Sequence, residues 1–234
     1  MKTNPSTRRR RLPITLLALV ALLAGLLTAC SSTHKTTAAT LTHSATATTA
    51  TNSTGSQTAA LHDAMRELWE QHVAWTRLAI VDFASGSAGF NATAARLMQN
   101  QVDIGNAIKP YYGDAAGTEL TTLLHDHIAI AVEVMQAAKA GHTAAFDAAN
   151  ARWFANANSI ADFLAKANPM NWPQDTMRQM MKVHLDQTLT EASDQLTGKY
   201  AAGAAEYDQI ESHILDMADG LSAGITAAFP DKFH

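Results

Sequence analysis

Three histidines, His72, His127 and His184, recur 55 and 57 residues apart in one local pattern: two apolar residues, two others, the histidine, and another apolar residue. The three copies read Leu68-Trp69-Glu70-Gln71-His72-Val73, Leu123-Leu124-His125-Asp126-His127-Ile128 and Met180-Met181-Lys182-Val183-His184-Leu185. Neutral imidazole is the commonest metal ligand in proteins, a general acid or base near neutral pH, and a hydrogen-bonding group that can be buried if it finds partners. Asn100, Asn156 and His213 follow the three histidines at 28, 29 and 29 residues, and Asn106, Asp162 and Asp219 come six positions later. Behind each of these last three stands a small residue, Gly105, Ala161 or Ala218.

The three chemistries leave different signatures. For a metal site, His184 with His213 is the one pair in this alignment in which both members are good ligands. Met177, Met180 and Met181, a turn or two earlier, add thioethers of the kind that suit Cu(I). His127 and His72 are further candidate ligands, and copper or zinc is the expected ion. There is no His-Glu-x-x-His, no repeated Glu-x-x-His and no cysteine cluster, so the usual zinc and di-iron signatures are missing. Haem is a weaker variant: a His and Met pair would ligate it, but no Cys-x-x-Cys-His is present. Catalysis would draw on Asp126, Asp186 or Asp216, yet no nucleophile sits on a strained turn, and no enzyme is expected. In the third use the histidines only hold the polar residues of a facing helix and fix its register.

Those residues need elements to position them. From Ala59 onward the chain is rich in Ala, Leu, Met, Gln and Glu, and Pro110, Pro169, Pro173 and Pro230 stand outside its periodic segments, which is an all-α composition. Leu61, Met65, Leu68, His72, Trp75 and Ala79 keep helical spacing on one face. So do Leu120, Leu124, His127, Ala131 and Val134 and, less cleanly, Met177, Met180, Met181, His184, Thr188 and Glu191. Gly86, Gly141 and Gly198 fall midway between each histidine and its later partner, where a glycine ends a helix and makes a turn. The pattern predicts six helices, near 59–84, 91–109, 115–140, 142–167, 173–197 and 200–228, as three repeated antiparallel αα-hairpins forming a helical bundle. In that register Asn100, Asn156 and His213 lie level with the repeat histidines, and Asn106, Asp162 and Asp219 are further polar partners within each hairpin. His125, two residues before His127, points about 200° away, toward solvent or a neighbouring helix. Trp69, Trp75, Trp153 and Trp172 read as core, and the connections at Tyr111-Tyr112-Gly113 and Asn168 to Pro173 as places where exposed aromatics would meet a partner.

The beginning of the chain is of another kind. Lys2 and Arg8 to Arg11 precede an apolar run, Leu12 to Leu27, too short and wrongly flanked for a stable membrane span, and residues 1–29 read as an export signal. Leu27-Thr28-Ala29-Cys30 resembles the bacterial lipobox, which implies cleavage before a lipidated Cys30 and a protein anchored to the outer face of the cytoplasmic membrane, or to the outer membrane of a Gram-negative cell. Cys30 is the sole cysteine, so no disulfide is available. Residues 30–58, almost entirely Ser, Thr and Ala, have too little to bury and are expected to be a disordered tether to the domain at 59–234. From Cys30 onward 12 basic residues face 21 acidic ones, a charge of −9, which argues against nucleic acid or an anionic surface as partner.

Leu68 to Arg77, Gly105 to Gly113 and Phe229 to Phe233 resemble stretches of a group of small all-helical bacterial proteins, a likeness that would cover most of 59–234 and carries no established activity. Kinase and transferase names attached to such sequences find no support in these residues, since no phosphate loop or Gly-x-Ser-x-Gly is present. The expected function is a membrane-tethered, extracytoplasmic helical binding module taking copper or zinc through the repeat histidines. The alternative is a structural or protein-interaction lipoprotein in which they only pack.

Overall fold

The computed structural model describes residues 46–233, with side chains from Gln57 onward. The signal segment, Cys30 and the beginning of the tether lie outside the described residues. Within them the all-α expectation holds: α1 (Thr46–Ser85), α2 (Phe90–Tyr112), α3 (Asp114–Ala140), α4 (Thr143–Ala167), α5 (Gln174–Leu196), α6 (Tyr200–Ala228) and a closing 3-10 turn, Pro230–Phe233. No helix among the described residues is long and apolar enough to cross a membrane.

Two boundaries differ from those the sequence predicts. Helix α1 already runs from Thr46 rather than 59, so the end of the expected tether is helical. That run has no proline to break the helix, but it is mostly Thr and Ser with Gly55, weaker helix formers than alanine, so the extension depends on the helix that packing nucleates downstream. Helix α2 passes through Pro110 to Tyr112, because proline in a last turn removes only one hydrogen bond, and the Gly113 amide still caps the Lys109 carbonyl at 2.9 Å.

Gly86, Gly141 and Gly198 take left-handed φ values of 71°, 68° and 76°, where a side chain would be strained. Around each, the amide of the next residue reaches back to a carbonyl five residues earlier: Ser87 to Asp82 at 2.8 Å, His142 to Ala137 at 3.0 Å and Lys199 to Asp194 at 2.8 Å. These helix ends turn α2 back on α1, α4 on α3 and α6 on α5. Every helix packs on its chain neighbours, α6 packs on α1, and α5 also meets α1 and α3 across the middle.

Asp162 and Asp219 do not act within their own helix pairs, contrary to the expectation from spacing. Asp162 takes two bonds from Arg178 of α5, both 2.8 Å, and Asp219 takes Nη1 of Arg66 of α1 at 2.8 Å on each oxygen. Six residues beyond the histidine level, a second helix has reached the end where the next helix begins, so its side chain meets that neighbour. Arg66 and Arg178 each stand six residues before a repeat histidine. With about two-fifths of each carboxylate side chain exposed, these ion pairs set register more than they stabilise. At the corresponding α2–α3 crossing Asn106 is exposed and the contact is steric. A Cβ on Gly105 would lie 2.0 Å from Thr121 Oγ1 and 2.6 Å from the Gly117 carbonyl oxygen. Gly105→Ala must therefore push the α2 and α3 backbones apart, and urea denaturation is expected to show a loss of about 1–3 kcal/mol.

Trp172 is buried rather than offered to a partner. Its Nε1 donates to the Gly220 carbonyl at 3.2 Å, its ring occupies the space over Gly224, and Tyr112 packs against it at 5.6 Å. The connection from Asn168 to Pro173 thus belongs to the core, with Met170 as its exposed apolar side chain.

Candidate functional site

Each repeat histidine sits one turn beyond a backbone carbonyl that the following helix captures. Asn100 Nδ2 donates to the Leu68 carbonyl at 3.0 Å, Asn156 Nδ2 to the Leu123 carbonyl at 3.0 Å, and His213 Nε2 to the Met180 carbonyl at 2.9 Å. The acceptors are the residues four before His72, His127 and His184. Asn100, Asn156 and His213 therefore stand level with the histidines as the register requires. His125 turns away from this layer and donates Nε2–H to the Met98 carbonyl at 3.1 Å on α2.

The same register brings the histidines of α1, α3 and α5 together in the middle. The His72 and His184 ring centroids are 5.7 Å apart, and those of His127 and His184 are 6.3 Å apart. All three side chains are buried. Trp69 meets His72 edge-on at 5.7 Å, and Trp153 lies over His127 at 5.2 Å. His213, the expected ligand partner of His184, is instead spent on the Met180 carbonyl. It does the work of asparagine in the other two pairs.

That exchange leaves a mark. Asn156 donates its amide to Leu123, so its Oδ1 accepts Nδ1–H of His127 at 2.9 Å, which leaves the His127 lone pair on Nε2. His213 offers no such oxygen, and His184 Nδ1 is buried without a partner. At His72, Gln101 Nε2 has two hydrogens for three acceptors. The Leu97 carbonyl at 2.8 Å and Asn100 Oδ1 at 3.2 Å take them, so the 3.3 Å approach to His72 Nδ1 does not fix that ring's tautomer. Trp69 Nε1, Trp153 Nε1 and Gln101 Oε1 are also buried without partners.

The imidazoles are held neutral. Burial, and then the charge His127 would carry, push His72 down to about 3, with Asn100 acting the other way. Burial lowers His127 to about 4 against its bond to Asn156. His184 falls well below the ordinary histidine range through burial and then through His72, His127 and His213.

On the turn side of this layer is a cavity of about 60 Å³, walled mainly by apolar side chains and floored by the three rings. It has room for an ion with a small ligand, or a few waters. Val134, Met135, Leu189 and Ala192 form the wall between it and a groove of about 600 Å³ at the α3 and α5 turn ends. On the other side the core is filled, and Met177 and Met181 are buried there, while the methionine in the cavity wall is Met135. Among the described residues no three or more His, Cys, Asp or Glu side chains already form a group that could hold a metal ion.

Glu191, two turns beyond His184 on α5, is buried and pairs with Arg77 of α1. The same guanidinium donates to the Gly203 carbonyl at 3.0 Å and lies 4.9 Å over the Tyr207 ring. Burial raises the Glu191 carboxyl to about 7 despite Arg77. The sequence shows this acid only as an interruption of an apolar helix face. No protein-family model, curated protein or solved structure matches the chain.

Proposed function

We propose that this chain is a helical binding module tethered outside the cytoplasmic membrane by lipid on Cys30, built from three copies of one αα-hairpin, and that His72, His127 and His184 bind a transition metal ion, copper or zinc. The observation that carries the reading is the convergence of three neutral imidazoles, one from each hairpin, on the floor of one cavity. Three imidazoles holding an ion through nitrogens at about 2.0–2.1 Å have ring centroids about 5.2–5.5 Å apart. The separations of 5.7 Å for His72–His184 and 6.3 Å for His127–His184 exceed that by up to about an ångström, so on this reading the rings close further when the ion binds. Asn156 on His127 Nδ1 is the kind of outer partner that orients a ligating histidine.

A second reading, a hydrogen-bonded spine that only fixes packing, is favoured by the repeated bonds from Asn100, Asn156 and His213 to the three helix carbonyls. Melting curves separate the two. Full-length protein in detergent is expected to melt several degrees higher with one equivalent of copper or zinc than with chelator, and His184→Ala to abolish the difference. A wild-type midpoint indifferent to both metals and to chelator leaves the spine.

A further inference from the structure

The lining of the cavity discriminates between the candidate ions. None of its side chains carries a formal charge with the histidines neutral, and the buried carboxylate of the same helix face, Glu191, is already matched to Arg77. Three neutral imidazoles would therefore leave the whole charge of an ion inside an apolar enclosure, where uncompensated charge is costly. For Zn(II) that is two charges and a tetrahedral shell with one place still to fill. Hydroxide would supply both, but it needs hydrogen-bonding partners. The hydroxyls in the wall, Thr76 and Thr188, already donate to the carbonyls of His72 and His184 at 2.7 and 2.8 Å, so each could accept the hydroxide's hydrogen but has none to give to its oxygen.

Cu(I) meets the same surroundings differently. It carries one charge, is satisfied by two or three ligands, and takes imidazole and thioether donors. Two imidazoles from the His72, His127 and His184 cluster would suffice, the third ring completes a trigonal shell, and Met135 puts a soft donor in the wall. Resting on the reading of this cluster as a metal site, we propose that its ion is Cu(I), and that the absence of a counter-charge in the cavity selects it against Zn(II).

The test uses the full-length chain in detergent with Cys30→Ser, which removes the one competing thiol. Anaerobic titration with Cu(I) against a chromogenic cuprous chelator, and with Zn(II) in parallel, reads stoichiometry and melting midpoint. One Cu(I) per chain, a midpoint raised by several degrees, an affinity at least tenfold weaker in His184→Gln, and a midpoint unmoved by Zn(II) are expected. X-ray absorption at the copper edge of the protein with its histidines intact is expected to show two or three nitrogen neighbours, a readout independent of whether the variant folds. Zn(II) raising the midpoint as much as Cu(I), or in its place, overturns the inference and leaves the metal site standing. Indifference to both ions overturns both, and so does bound copper without nitrogen neighbours.

Discussion

Metal-free protein is expected to lose about 3–4 kcal/mol of folding stability between pH 7 and pH 5, a large share of the roughly 5–15 kcal/mol that holds an ordinary domain folded. In the unfolded chain each imidazole of the central cluster takes a proton near 6.5, whereas His72 and His127 in the fold hold off protonation until about 3 and about 4, and His184 is lowered as well. Over that interval unfolding takes up protons. The histidine contribution is therefore intact above about pH 6.5 and falls with acid by about 1.4 kcal/mol per imidazole for each pH unit well below it. Glu191 works in the opposite sense. Burial raises its carboxyl to about 7, so acid relieves a carboxylate the fold keeps charged at a cost, and this returns about 2 kcal/mol over the same range. Urea denaturation in chelator at the two pH values measures the difference. A midpoint that holds steady would mean that the three rings are solvated and that the cluster is not the buried layer described above.

Arg77→Met is expected to cost about 3 kcal/mol at pH 8, where Glu191 is charged and would lose the cation it pairs with. The low end of the range for breaking a buried pair applies because the Arg77 side chain keeps 24% of its surface exposed, against 2% for Glu191. Arg77→Met with Glu191→Leu is expected to recover most of that loss, because the stranded carboxylate disappears with its partner. A double variant as unstable as the single one would show that Arg77 acts through its stack on Tyr207 and its bond to Gly203, and not through charge.

The sequence made the central layer legible because imidazole, glycine and asparagine each had a backbone reason to recur. Glycine was needed at left-handed helix ends, and asparagine was needed to reach a carbonyl across the turn. Identity misled where a residue kept a role and changed its chemistry. His213 looked like half of a metal site beside His184, but in the fold it replaces asparagine as a donor to a carbonyl. The forward reach of Asp162 and Asp219 was encoded in Arg66 and Arg178, at equal distances before their histidines, yet helical spacing alone does not say which neighbour a side chain meets at the far end of a helix. Trp172 and the Arg77–Glu191 pair depend on how separate helices cross, and no local period carries that information.

The packing of α6 on α1 has a consequence for size. An open stack of helical pairs can gain or lose a unit and remain the same kind of object, with capping surfaces at its ends. Here the last helix covers the first, and the first-helix histidines point to one centre, so the number of units is fixed by the closure itself. A fourth pair would widen the ring and spread the imidazoles, while loss of one would open the centre to water. Substitution within the helices can alter what each presents at the middle without disturbing that closure.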